Sequence, residues 1–193
     1  MNLKLINIKS LGGIHPEGTK WLRGSDLGHF PTLENAYLTI TDGKISGFGP
    51  MSECPQDELP TIDCSDRHVL PAFVDSHSHL VYAGTREEEF NLRLKGASYE
   101  EIAAAGGGIL NSAGKVNTSS IEQLVSQAKF RLENLIECGT GTLEVKSGYG
   151  LDPENELKLL RAIKALNGQS QATLVSTFLA AHALPAWAKA QGM

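Results

Sequence analysis

Val69-Leu-Pro-Ala-Phe-Val-Asp-Ser-His-Ser-His-Leu80 is the stretch on which the reading of this chain turns. An apolar run ending in Phe73 and Val74 delivers Asp75, His77 and His79 at alternate positions. Alternate side chains of a β-strand share a face, so these three are expected to point the same way. Two imidazoles so placed can reach one divalent cation at Zn–N distances of about 2.0–2.1 Å. The pair also closes an apolar strand, which is where parallel α/β sheets collect their chemistry. Two polar residues ending a strand, one bonded to a main-chain carbonyl, would leave the same signature. Asp75 reads equally well as an orienting partner for a ring or as a turn cap.

Working outward, the 193 residues are 41% hydrophobic and 20% charged, an ordinary globular balance with room for a substantial core. A formal net charge of −5 and the lack of clustered Lys and Arg argue against nucleic acid or an anionic membrane as partner. The N-terminus alternates polar and apolar residues, unlike a signal peptide. The apolar-rich stretch from Ala172 to Ala188 is short for a bilayer and is broken by His182 and Pro185. Cys54, Cys64 and Cys138 are odd in number and lack Cys-x-x-Cys spacing, as expected of reduced thiols in a cytoplasmic protein.

Before the quoted stretch the pattern is of short strands. Leu3 to Lys9 alternates, Ser10 to about Glu34 reads as loop, and Ala36–Ile40 and Lys44–Phe48 flank an Asp42-Gly43 hairpin turn. Thr61 to Asp63 is a short extended piece. After Leu80, strands alternate with helices. Ser98 and Glu101 have capping-box spacing, with Gly106 to Gly108 as the helix stop or a loop. A strong apolar stripe predicts a helix from Ser119 to Cys138, with Ser119 and Glu122 as its box and Gly139 as its C-terminal cap. Gly141 to Lys146 reads as strand, Asp152-Pro153 opens another helix, and Thr173 to Leu179 reads as a buried parallel strand. The expectation is α/β: residues 1–69 as part of a small β-sandwich, and residues 70–193 as the first β/α units of an incomplete (β/α)8 TIM-type barrel. From Leu70 onward the chain holds about half the ~250 residues a closed eight-fold barrel takes, so a fragment is expected.

Several residues besides the histidine pair could carry chemistry. His182, ending another strand, could be a third ligand, a general base or a substrate donor. Arg86 stands beside Glu87, Glu88 and Glu89, either as a surface ion pair or as a clamp for a substrate carboxylate. Glu144 and Lys146 share a strand face. Tyr149 lies between two glycines that let the backbone approach a ligand closely. His15, His29 and His68 fall in the sheet-like region and read as surface or structural.

The quoted stretch resembles the first barrel strand of the amidohydrolase superfamily. Ala83-Gly-Thr-Arg86, Ala105-Gly-Gly-Gly-Ile109, Glu144-Val-Lys-Ser-Gly-Tyr-Gly-Leu151 and Ser176-Thr-Phe-Leu-Ala-Ala-His-Ala183 resemble, within it, the imidazolonepropionase family. Ala72 replaces a more usual glycine. The resemblance implies a barrel of the amidohydrolase kind, one zinc or iron ion, and hydrolytic opening of 4-imidazolone-5-propanoate to N-formimidoyl-L-glutamate. It implies His77 and His79 as metal ligands, and Arg86, Tyr149, His182 and, less closely matched, Tyr99 as substrate contacts. The family's later histidine, aspartate and catalytic glutamate have no counterpart in these residues, so no catalytic residue is assigned. A fragment alone is expected to be inactive. The expected partner is the small-molecule substrate, and a homodimer is one expectation for the full-length protein. Another amidohydrolase, such as a cyclic amidase or deaminase, and a non-catalytic metal-binding fragment are the alternatives.

Overall fold

The computed structural model describes residues 1–104, 107–184 and 188, apart from the side chains of residues 99, 103 and 104. It divides into two compact units, Met1–Pro71 and Ala72–Met193.

The first unit is a sheet built on β1 (Leu3–Gly12), which pairs antiparallel with β2 (Thr32–Thr41) and parallel with β4 (Thr61–Asp63) and β5 (His68–Val69). β3 (Lys44–Pro50) returns along β2 through the Asp42-Gly43 turn. Both turn residues take positive φ, 52° and 76°, as a tight hairpin requires. β1 and β2 extend further than alternation suggests, so the intervening loop is shorter and includes a 3-10 turn at Gly24–Gly28. A bulge between Leu5 and Ile8 re-phases β1 and seats Ile8 and Leu11 with Ala36, Leu38 and Cys64 in a small core.

In the second unit, β6 (Phe73–Ser78), β7 (Thr140–Lys146) and β8 (Thr173–Thr177) form a parallel sheet in that order. α4 (Ile121–Glu137) links β6 to β7 and α5 (Pro153–Asn167) links β7 to β8. Leu143, Val145 and Leu174 pack beneath Leu132 of α4 and Leu159 and Ile163 of α5. Each fully buried leucine there contributes about 1.5–3 kcal/mol.

The α4 cap differs from the expected one. Ser120, not Ser119, accepts from the Gln123 amide (3.2 Å), and the Gln123 side chain accepts from the Ser120 amide (2.9 Å). The Ser119 hydroxyl instead donates to the Lys115 carbonyl at 2.8 Å. That carbonyl belongs to α3 (Ile109–Thr118), which together with α1 (Glu87–Leu94) is absent from the sequence reading. Three glutamates in the first turn of α1 suit the positive end of a helix dipole, so the acidic run is a helix start. The predicted Ser98–Glu101 box is present at α2 (Tyr99–Ala104). The glycine run closes α2 through the Gly107 amide and then opens α3, with Gly108 as its N-cap at φ 83°; Gly106 lies outside the described residues.

Candidate active site

β6 does not keep simple alternation. Its register is irregular between Asp75 and Ser78: Asp75 lies opposite Leu143 and Ser78 opposite Val145, both on the helix-covered side. His77 and His79, flanking Ser78, belong to the other face, and Asp75 does not join them. Its carboxylate accepts the His77 amide at 3.0 Å and so caps the bulge, the turn role left open above. The Ser78 hydroxyl donates to the Glu144 carbonyl at 2.6 Å and locks the re-phased register.

The histidine rings lie 6.0 Å apart between centroids, a spacing from which both can turn to one ion. His79 also contacts Tyr149 at 4.9 Å and His182 at 4.8 Å, and Tyr149 contacts His182 at 5.6 Å. Burial, then the neighbouring His182 and His77, pushes the His79 pKa below the usual 6.5, against a smaller opposing effect of the Ser147 main chain. His79 Nδ1 is buried with no hydrogen-bond partner among the described residues. A neutral imidazole with an orphaned nitrogen is the form a metal takes, so the residues present fit one. No set of three His, Cys, Asp or Glu converges as a complete metal site among the described residues.

A cavity of about 300 Å³ brings His79, Arg86 and Tyr149 together with Tyr82, Thr85 and Ser112. Arg86 is aimed by Glu89, which takes its Nε at 2.8 Å and also its Nη2. The second Glu89 oxygen accepts the Gly108 amide (2.9 Å), so one carboxylate ties Arg86 to the start of α3. The Arg86 hydrogen bond, assisted by the Gly108 amide, holds Glu89 below the ordinary 4.5 against its burial. The ion pair read as the plain alternative for Arg86 therefore exists, and it points the guanidinium at the cavity rim.

Tyr82 and Ser112 escaped the sequence reading. Tyr82 is placed by Arg131 of α4, whose guanidinium lies 3.5 Å from its ring centroid and donates to the Leu80 and Tyr82 carbonyls at 3.1 Å. Its position in the loop after the histidine strand was the available signal. Ser112 rides on the unrecognised α3. Glu144 and Lys146 do share a face and pair at 2.5 Å, and the Thr177 hydroxyl donates to the same Glu144 oxygen at 2.6 Å. Tyr99 opens α2, but its side chain lies outside the described residues. Cys54, Cys64 and Cys138 are unpaired, and no described helix is long and apolar enough to cross a membrane.

No family model matches the chain. Among solved structures it is similar to E. coli guanine deaminase, with a TM-score of 0.64 at 16% identity, covering 97% of this chain and 39% of that one. It is also similar to an atrazine chlorohydrolase from Arthrobacter aurescens complexed with zinc, with a TM-score of 0.58 at 13% identity, covering 91% and 35%. The mixed α/β fold is thus shared with these solved enzymes.

Sequence similarity is narrower. The chain is 46% identical over 186 residues to the imidazolonepropionase of Flavobacterium psychrophilum, covering 96% of this chain. It is 47% identical over 180 residues to that of Flavobacterium johnsoniae, covering 93%. It spans 45% and 44% of the length of these two relatives. The resemblance carried by the motifs is therefore present along nearly the whole chain: it is similar to imidazolonepropionases.

Proposed function

We propose that this chain supplies the first β/α units, and the N-terminal part of a β-sandwich, of a metal-dependent amidohydrolase barrel. The proposed reaction is opening of the ring amide of 4-imidazolone-5-propanoate by water to give N-formimidoyl-L-glutamate, a cytoplasmic step of histidine degradation. The observation that carries this reading is the single cavity lined jointly by His79, Arg86 and Tyr149.

In this reading His77 and His79 hold a zinc or iron ion, which when bound activates water and polarises a carbonyl. The chain's own groups do the rest of the positioning. Arg86, already oriented by Glu89, offers a guanidinium to the propanoate carboxylate. Tyr149 and His182, each packed against His79 and against one another, set the plane of the substrate ring and hydrogen-bond its polar edge. The Glu144–Lys146–Thr177 group keeps the strand face below the site polar and fixed.

Chelation tests the proposal. A protein carrying these residues is expected to hydrolyse 4-imidazolone-5-propanoate, to stop after treatment with a chelator, and to recover with zinc or ferrous iron. Turnover untouched by complete metal removal would refute the role given to His77 and His79.

A further inference from the structure

Glu156, in the first turns of α5, is 2% exposed. One of its oxygens accepts the Gly148 amide at 2.8 Å; the other accepts the amides of Gly150 (2.7 Å) and Leu151 (3.1 Å). Among the described residues its hydrogen-bond partners are main-chain amides, and it forms no ion pair with a Lys, Arg or His. A carboxylate taken out of water needs compensation, and here three convergent N–H groups provide it. The loop is bent to supply them: Gly148 has φ 113°, and Leu151, a branched residue, has φ 59°. A left-handed leucine persists only where its surroundings over-determine it.

The start of α5 does not need this carboxylate. Asp152 already caps the helix, accepting the Asn155 amide at 2.8 Å, with Pro153 in the first turn. What Glu156 holds is the segment that carries Tyr149 between the bonded amides. That segment is close to His182 too: a Cβ on Gly148 would come within 2.9 Å of the His182 Cβ. The buried Ser147 hydroxyl accepts the Leu179 amide at 3.0 Å, joining the same loop to the chain that leads to His182.

We propose that Glu156 is a positioning residue for the site, setting Tyr149 against His79 and His182 through the three amides it gathers; its value to a substrate rests on the hydrolase reading, its geometry does not. Glutamine has the same size but offers one acceptor oxygen, and its amino group would face N–H donors, so Glu156→Gln should release one side of the loop.

The test is 19F NMR of the chain labelled with 3-fluorotyrosine, whose four tyrosines give four resonances. Tyr149 is assigned by Tyr149→Phe, and Tyr37, in the other unit, serves as the reference. Glu156→Gln, and Glu156→Asp as a second variant that keeps the charge but shortens the reach, should move the Tyr149 resonance beyond its wild-type line width and leave Tyr37 in place. Asp152→Ala should lower the melting temperature without that displacement. An unmoved Tyr149 resonance in both Glu156 variants would overturn the proposal, whatever the melting temperature does. Collapse of all four resonances in both would also overturn it, making Glu156 a residue of the fold alone. The readout needs no turnover, so it fails or succeeds independently of the proposed reaction.

Discussion

The two faces of the β6–β7–β8 sheet are built on opposite rules. One is covered: Leu143, Val145 and Leu174 lie under α4 and α5 and are at most 7% exposed. The other carries Glu144, Lys146 and Thr177, tied to one another by hydrogen bonds, beside Val175, which is 50% exposed. The strands alternate between them, so neighbouring residues of one strand serve stability and chemistry in turn. The covered face is apolar apart from Asp75 on β6, whereas the other concentrates the ionisable groups near the histidines.

Substitution should separate the faces. Leu143→Ala removes a side chain with no exposure and should cost about 2–5 kcal/mol in urea unfolding. Val175→Ala, one strand over on the other face, should cost under about 0.5 kcal/mol, as exposed positions do. A similar cost at both positions would break the comparison.

On the covered side the helices carry their own contribution. Asp152→Ala should lower stability by about 1 kcal/mol through loss of the α5 cap, with the same loss at pH 6 and pH 8.

The cavity side should answer to pH instead. Glu89 is held below its ordinary 4.5 by Arg86 and the Gly108 amide, so in acid the unfolded chain takes up a proton first. Its stabilisation is complete above about pH 4.5 and is lost as pH falls through the depressed native value. Glu89→Gln should therefore flatten the acid end of the stability profile below that pH and leave its slope unchanged above it. An unaltered acid limb would remove Glu89 from the account.

The covered face is also the part most legible in the sequence. α4 and α5 announce themselves by apolar stripes, an Asp-Pro start and Gly139, which takes φ 95°. α1 and α3 do not, because one is short and acidic and the other begins in a glycine run. Adjacent Ser119 and Ser120 offer two overlapping capping boxes, and only packing chooses between them. The bulge in β6 is silent in sequence: Asp-Ser-His-Ser-His keeps its spacing on paper while Asp75 turns to the covered side. His77, His79, Arg86, Tyr149 and His182 were legible through motifs with long, specific strings. Glu156 was not, since a glutamate near a helix start reads as solvated until the loop that surrounds it is seen.

The most direct test of the account is the substrate preference of the protein that carries these residues, measured on 4-imidazolone-5-propanoate, guanine and cytosine in parallel. The account predicts ring opening of the imidazolone, with a raised KM in Arg86→Ala, and no deamination of either base. Deamination of a base with the imidazolone left intact would contradict it.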